Sequence, residues 1–218
     1  MHLMVLADDS GSMAGAPAQA ATKAIQTWLD ELYAAVKAMP GYFKVSVVAY
    51  GTSAAIVTEA QDVAAIDATG LVLEGKSGVT NMAAALALAR QILERTPTKA
   101  EDCPPFVFLF SDGRPTTPEG QEGPGPQQAA LTEASYLKAL PLPCGNPFLV
   151  TLGFGDAIDS LMAQLATTTT ANGAPVPLYH RIQNAQQLIK LLPAIGTPRV
   201  GKDANLLSMV ESMVPKDR

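Results

Sequence analysis

Five side chains that carry oxygen atoms stand at three separate places in the chain, and their types suit the binding of a divalent cation. Asp8, Ser10 and Ser12 alternate along one short segment, whereas Thr80 and Asp112 lie much further on. Hard cations prefer hydroxyl and carboxylate oxygens, and a near-octahedral set completed by water favours Mg²⁺, with Mn²⁺ or Ca²⁺ as substitutes. The residue types therefore predict a magnesium site, provided that the fold brings the three segments together.

Two of these segments directly follow predicted strands. Leu3–Ala7 is a continuous apolar run that stops at Asp8, and Phe106–Phe110 is an equally apolar run shortly before Asp112. Runs of this kind are typical of strands buried on both faces of a parallel sheet. Because the carboxyl ends of parallel strands meet at one edge, where open α/β sheets bind their ligands, we expect Asp8 and Asp112 to lie close together.

The remaining pattern alternates between strands and helices. Val45–Tyr50 is β-branched and apolar, and a turn at Gly51–Ser53 leads from it into a shorter edge strand at Ala55–Thr58. We predict an α/β fold, a doubly wound, mostly parallel central sheet with one antiparallel edge strand and helices on both faces. The other predicted elements are helices from Pro17 to near Met39 and at Met82–Leu93, Gln128–Ala139, Ile158–Ala166 and Ala185–Leu192, and strands at Phe148–Phe154 and Leu178–Ile182. Residues 113 to 128 contain many Gly and Pro residues and are predicted to form a long surface loop.

Composition excludes several classes of protein. The chain has 218 residues, 48% of them hydrophobic and 16% charged, which is enough for one domain with a full core. A net charge of -5 without a basic cluster argues against a nucleic-acid partner. No apolar run is long enough to span a membrane, the start does not resemble a secretory leader, and Cys103 and Cys144 lack the spacing of a zinc or redox motif. We therefore expect a reduced, cytoplasmic protein with no membrane partner.

The chain divides at a proline-containing boundary. Residues 1–193 are predicted to form the domain, and residues 194–218 a tail with a short amphipathic helix. Leu206, Leu207, Val210 and Met213 have the spacing of one helical face. Such a helix either docks on its own domain or binds a partner.

The motif and the order of elements together resemble the von Willebrand factor A domain, a family whose metal-ion-dependent adhesion site combines an Asp-x-Ser-x-Ser motif, a threonine and a later aspartate. The resemblance covers residues 1–193. It implies that Ser10 and Ser12 bind the metal directly, that Thr80 binds it directly or through water, and that Asp8 and Asp112 act largely through water. An ion held this way keeps its positive charge toward an open position, which an Asp or Glu of a protein partner would fill.

Two details refine the resemblance. Many relatives carry Gly-Gly-Thr where this chain has Gly78-Val79-Thr80, a change that keeps the threonine and one glycine. The stretch Ser111-Asp112-Gly113-Arg114-Pro115-Thr116 is similar to bacterial intracellular members of the family, including those associated with tellurium resistance and stress operons. The resemblance thus implies a metal-dependent protein-binding module, not an enzyme, in a bacterial stress-response or defence assembly.

Other interpretations use the same residues. Asp8, Ser10 and Ser12 could form a capped turn that holds no metal. Thr80 could be the N-cap of the helix that follows it, and Asp9 suits a solvated or turn-forming position better than that of a metal ligand. A magnesium-dependent phosphoryl-transfer or hydrolytic enzyme would also use aspartates. However, Ser10 stands where a phosphoaspartyl enzyme would carry its second aspartate, and the chain has no Walker A loop. A scaffold that acts without metal is the third alternative.

Overall fold

The computed structural model describes residues 1–37, 41–171, 173–183 and 185–196. A six-stranded sheet forms the centre of the fold, with the strand order β3-β2-β1-β4-β5-β8, and β6 and β7 form a separate hairpin. The strands are β1 (His2–Asp8), β2 (Lys44–Tyr50), β3 (Ala54–Asp62), β4 (Phe106–Ser111), β5 (Phe148–Gly153), β6 (Thr168–Ala171), β7 (Ala174–Pro177) and β8 (Tyr179–Arg181). All neighbours in the large sheet pair in parallel except β2 and β3, which are antiparallel.

Helices cover both faces of this sheet. The helices are α1 (Ala16–Val36), α2 (Met82–Arg95), α3 (Pro124–Lys138), α4 (Asp159–Leu165) and α5 (Ala185–Gly196). Alternate residues of β1 take part in two different cores. Leu3 and Val5 pack with α1 and α5, whereas Met4 and Leu6 pack with α2, α3 and α4. The predicted fold class, including its antiparallel edge strand, is confirmed.

The central position of β1 explains its sequence. Every residue of β1 is buried, because β2 and β4 flank it in the sheet and helices cover it on both sides. A strand in this position has no solvent-facing side, so its apolar residues run without alternation. The run therefore ends only where the strand reaches the edge of the sheet, at Asp8.

Two sequence predictions were wrong in detail. Residues 113 to 128 do not form one long loop, because α3 begins at Pro124 and the loop before it contains a bridge between Thr116 and Glu122. Proline is tolerated in the first turn of a helix, where its missing N–H has no intrahelical partner to lose. The second prediction is the helix at Ala185–Leu192, since α5 continues to Gly196. In addition, the hairpin of β6 and β7 was not predicted.

Some predictions fall outside the part of the chain that the structure describes. They are the amphipathic helix at residues 206–213 and the end of the first helix near Met39. Within the described part, no helix combines the length and the apolar character needed to cross a membrane.

Candidate metal centre

Asp8 anchors the loop that follows β1. Its side chain is fully buried, its Oδ1 accepts a 2.9 Å hydrogen bond from the backbone N–H of Ser10, and its Oδ2 accepts one from the hydroxyl of Ser111. Burial raises the pKa of the Asp8 carboxyl to about 6, although both serines act to lower it. A buried carboxylate whose charge is so poorly solvated is stabilised by a neighbouring cation.

Ser10, Ser12 and Asp112 form a continuous chain of polar contacts. The hydroxyl oxygens of Ser10 and Ser12 lie 3.1 Å apart, and the Ser12 hydroxyl donates a 2.8 Å hydrogen bond to Asp112 Oδ1. Burial, followed by repulsion from Asp156, raises the pKa of Asp112. The loops after β1 and β4 are therefore joined by side chains that offer oxygen atoms to one region.

Thr80 reaches the same region from the segment before α2. A Cβ atom added at Gly113 would lie 3.3 Å from Thr80 Oγ1 and 3.7 Å from Ser12 Oγ, so the two hydroxyls face one small space. Thr116 holds the Thr80 backbone, since its Oγ1 accepts from the Thr80 N–H at 3.1 Å and its N–H donates to the Thr80 carbonyl at 2.9 Å. The fold thus brings all three segments of the predicted site together.

The alternative role of Thr80 as a helix cap is not what the structure shows. The N-cap of α2 is Asn81, whose Oδ1 accepts a 3.1 Å hydrogen bond from the backbone N–H of Ala84. Among the described residues, the Thr80 hydroxyl has no hydrogen-bond partner. Its oxygen is free to contact an ion.

These side chains open into a cavity of about 860 Å³ at the carboxyl edge of the sheet. Ser10, Ser12, Thr80 and Asp112 line it, and Asp8 lies beneath, bonded to Ser10. The rest of its wall comes from the segment before α2 and the loops after β4 and β5, namely Gly78, Val79, Gly113, Arg114, Thr116, Gly120, Glu122, Gly155 and Asp156.

Asp9 serves the loop structure. Its Oδ1 accepts hydrogen bonds from the backbone N–H groups of Glu74 at 2.8 Å and Gly75 at 2.7 Å, and its Oδ2 accepts one from the Ser77 hydroxyl. The carboxylate thereby holds the segment that leads to Thr80. Asp9 was expected to be solvated or to form a turn, but its side chain instead holds a segment that is distant in sequence, and it does not line the cavity.

Three residues of the centre were not predicted. Ser111 bonds to Asp8, Thr116 holds Thr80, and Asp156 lines the cavity beside Asp112. A signal was present for Asp156, because it follows the apolar strand β5 as Asp112 follows β4. Only the side-chain contacts reveal the roles of Ser111 and Thr116.

The donor set fits a hard divalent cation. Three hydroxyl groups and two carboxylates converge, and one of the carboxylates is buried and hydrogen-bonded on both oxygens. Within the described ranges, no cluster of three or more His, Cys, Asp or Glu side chains is arranged to hold a metal. The chemistry of hydroxyl ligands supplemented by water therefore suits this centre better than the imidazole and thiolate ligands of a typical zinc site.

Comparison with known proteins identifies the family. A profile described as the von Willebrand factor type A domain matches residues 3–114, a range that includes all five predicted metal ligands. Among curated proteins, none matches this sequence.

Solved structures share the fold at low sequence identity. A von Willebrand factor type A protein from Catenulispora acidiphila aligns with a TM-score of 0.65 and 21% identity, covering 93% of this chain and 43% of that one. The von Willebrand factor domain of a type V pili tip protein from Porphyromonas gingivalis aligns with a TM-score of 0.64 and 14% identity, covering 92% of this chain and 97% of that one. Proximal thread matrix protein 1 from the mussel byssus, solved with a zinc-occupied MIDAS motif, aligns with a TM-score of 0.57 and 17% identity. The alignment covers 90% of this chain and 48% of that one.

These structures differ in length from the present chain. It spans less than half of the Catenulispora acidiphila and mussel chains, and nearly all of the pili tip domain. At these identities the likeness establishes the fold, and the profile covers just over half of the sequence. Together they show that the chain belongs to the von Willebrand factor type A domain family.

Proposed function

We propose that the protein is a metal-dependent protein-binding module that captures a carboxylate of its partner at a Mg²⁺-occupied adhesion site. Domains of this family generally mediate interactions between proteins. The observation that carries the proposal is the convergence of Ser12, Thr80 and Asp112 on one space beside an open cavity. Oxygen ligands of this kind suit Mg²⁺, and Mn²⁺ or Ca²⁺ would substitute.

The charges of the site make the ion a switch for binding. Without an ion, Asp8, Asp112 and Asp156 together repel an acidic side chain. A divalent cation held through the hydroxyls of Ser10, Ser12 and Thr80, with Asp8 and Asp112 acting largely through water, reverses the local sign. Because few anionic groups contact it directly, the ion attracts a partner's Asp or Glu.

We further propose that the loop after β4 is the specificity rim of the site. Arg114, Thr116, Gly120 and Glu122 line the cavity, and Arg114 Nη1 lies 3.8 Å from Glu122 Oε2. Both side chains are more than half exposed, so they are free to exchange this contact for one with a partner. Exchange of this loop for that of a relative is expected to change partner choice while leaving metal affinity intact.

An enzyme is the weaker candidate. Both oxygens of Asp8 accept hydrogen bonds and its side chain is fully buried, so it is poorly placed to serve as a nucleophile or a general base.

For the biological setting we propose a cytoplasmic stress-response or defence assembly in a bacterium. This rests on the resemblance of residues 111–116 and on the unpaired cysteines Cys103 and Cys144.

Binding of Mn²⁺ followed by EPR, with Mg²⁺ as competitor, tests the proposal. We expect one saturable site that Mg²⁺ displaces and that Asp112→Ala weakens by at least about tenfold. Glu101→Ala is the matched control, because Glu101 is exposed, its Oε1 lies 4.0 Å from Lys99 Nζ, and it does not line the cavity. Absence of a saturable site would contradict the metal centre and favour a scaffold that acts without metal.

Partner capture completes the test. Proteins retained on the immobilised wild-type chain with Mg²⁺ should be released by EDTA and should not be retained by Asp112→Ala. A partner that binds equally well under both conditions would contradict the adhesion mechanism even where Mn²⁺ binds.

A further inference from the structure

Arg181, the last residue of β8, binds the segment that follows β5 through three hydrogen bonds. Its Nη2 donates to the Gly155 carbonyl at 2.7 Å, and its Nη1 donates to the Ala157 carbonyl at 3.0 Å and to Asp159 Oδ1 at 2.8 Å. The hydroxyl of Tyr179 donates to the same Asp159 oxygen at 2.7 Å. One guanidinium thus holds a turn at two carbonyls and one carboxylate.

The turn that follows β5 also holds the backbone of Asp112. The N–H of Asp156 donates to the Asp112 carbonyl at 2.7 Å, and the N–H of Phe154 donates to the Ser111 carbonyl at 3.2 Å. Gly155 has φ +55°, and a Cβ atom there would lie 2.8 Å from the Asp112 carbonyl oxygen. The turn therefore packs directly on the peptide that carries the Asp112 carboxylate.

Fewer hydrogen bonds hold the carboxylate of Asp112 than that of Asp8 within the described residues. The Asp8 carboxylate is fully buried and accepts hydrogen bonds on both oxygens, whereas Asp112 is half-buried. Within the described part of the chain, the Asp112 carboxylate has one side-chain partner, the Ser12 hydroxyl. Its position at the cavity is consequently set by Ser12 on one side and by the turn on the other.

We propose that Arg181 is a positioning residue of the metal centre, which fixes the turn at residues 154–157 and through it Asp112. The inference rests on the proposed function, since it assigns Arg181 a part in holding the ion. Outer residues that orient metal ligands typically change metal affinity by one to two orders of magnitude when they are removed. Lys cannot reproduce the contact, because its single ammonium lacks the planar fork that reaches two carbonyls and a carboxylate together.

Arg181→Gln and Arg181→Lys test this role, with Arg95→Gln as the matched control. Arg95 makes a comparable fork on Glu59 and has a similarly exposed side chain, but it lies at the end of α2 outside the cavity lining. Mn²⁺ affinity is measured by EPR well below each melting temperature, and amide exchange is followed at Asp156 without metal. We expect Arg181→Gln to bind Mn²⁺ about tenfold more weakly, Arg181→Lys to be intermediate, and Arg95→Gln to match the wild type.

The two readouts separate the inference from the proposed function. Faster exchange of the Asp156 amide in Arg181→Gln, together with weaker Mn²⁺ binding, supports the positioning role. A lower melting temperature with unchanged Mn²⁺ affinity and unchanged Asp156 exchange overturns it and leaves Arg181 a purely stabilising residue. A wild-type chain that binds no Mn²⁺ overturns both the proposed metal site and the metal role of Arg181. If the wild type binds Mn²⁺ and the Arg181 variants bind it equally well, only the role of Arg181 is overturned.

Discussion

The Ser12 hydroxyl donates a 2.8 Å hydrogen bond to the Asp112 carboxylate, and the two residues are separated by 100 positions in the sequence. This bond joins the loop after β1 to the loop after β4. A hydroxyl whose proton is directed at a carboxylate has its oxygen lone pairs left, one to accept from the Ser10 hydroxyl 3.1 Å away and one to contact a cation. In the proposed metal site, both residues would therefore contact an ion without reorienting.

Replacement of Ser12 by Ala removes both a proposed oxygen ligand and the hydrogen bond between Ser12 and Asp112. We expect Mn²⁺ affinity to fall by about tenfold, with little change in stability because Ser12 is exposed. Ser135→Ala, on the exposed surface of α3, is the control and should bind as the wild type does. Equal affinity of Ser12→Ala and the wild type would remove Ser12 from the proposed ligand set.

Asp8→Asn is expected to raise stability and lower metal affinity at the same time. The folded pKa of Asp8 is raised to about 6 from 3.8, so above this pH the fold holds an ionised carboxylate at a cost. Stability linked to Asp8 is highest below pH 3.8 and is lost as the pH rises through about 6. Replacement by Asn removes the charge and should raise the free energy of unfolding by about 1–3 kcal/mol at pH 7 in EDTA.

Urea unfolding with EDTA and with Mg²⁺ checks this prediction. The wild type should gain more stability from Mg²⁺ than Asp8→Asn does, because the variant binds the ion more weakly. Asp30→Asn, on the exposed face of α1, should leave both measurements unchanged. A variant less stable than the wild type in EDTA would show that the hydrogen bonds to Asp8 outweigh its buried charge.

The sequence predicts for one physical reason that the proposed metal ligands lie close together. Asp8 and Asp112 follow neighbouring parallel strands, so the topology of the sheet alone places them at one edge. The free hydroxyl of Thr80 could not be predicted in this way, because Thr80 and Asn81 are both good helix caps and only the backbone geometry decides between them.

Local features of the sequence also explain why the β6–β7 hairpin and the start of α3 could not be predicted. The hairpin of β6 and β7 has no alternation of apolar and polar residues, since three successive threonines precede Ala171 in β6 and two prolines flank Val176 in β7. Helix α3 begins before its predicted start, because Pro124 and Pro126, although proline breaks helices elsewhere, both lie in its first turn. In each case the correct structure depends on contacts or positions that composition does not encode.

His2 is expected to make the fold less stable in acid. Its Nε2 lies 2.9 Å from the Ser46 hydroxyl, and its Nδ1 is buried with no partner within the described residues. Burial, assisted by the N-terminal amine and Lys44, lowers the pKa of His2 from 6.5 to about 4. The unfolded chain therefore binds the proton more readily, and stability from neutral His2 is present above pH 6.5 and lost as the pH falls toward 4.

Unfolding of the wild type and of His2→Gln at pH 7 and at about pH 4.5 tests this expectation. The wild type should lose about 2 kcal/mol more than His2→Gln between the two values. The carboxyl of Asp8 titrates in the same window with the opposite effect, but it is present in both chains and cancels in the difference. Identical losses in the two chains would show that His2 is not buried as a neutral group.

Gly51 and Gly70 provide a test of the backbone that holds Thr80. A Cβ atom at Gly51 would lie 2.0 Å from the Ser77 carbonyl oxygen, whereas one at Gly70 would approach no atom closer than 3.4 Å. The neighbour of Gly51 is backbone, and the same Ser77 carbonyl accepts a 2.7 Å hydrogen bond from the Thr52 N–H. Gly51→Ala must therefore displace the segment that leads to Thr80.

We expect Gly51→Ala to lower the free energy of unfolding by at least about 2 kcal/mol and to weaken Mn²⁺ binding, because Thr80 moves with the displaced segment. Gly70→Ala should change stability by less than about 0.5 kcal/mol and leave Mn²⁺ binding unaltered. Thermal unfolding and EPR titration measure the two effects. If Gly51→Ala proved as stable as Gly70→Ala, the close approach of Gly51 to Ser77 would not exist, and Thr80 would need another support at the metal centre.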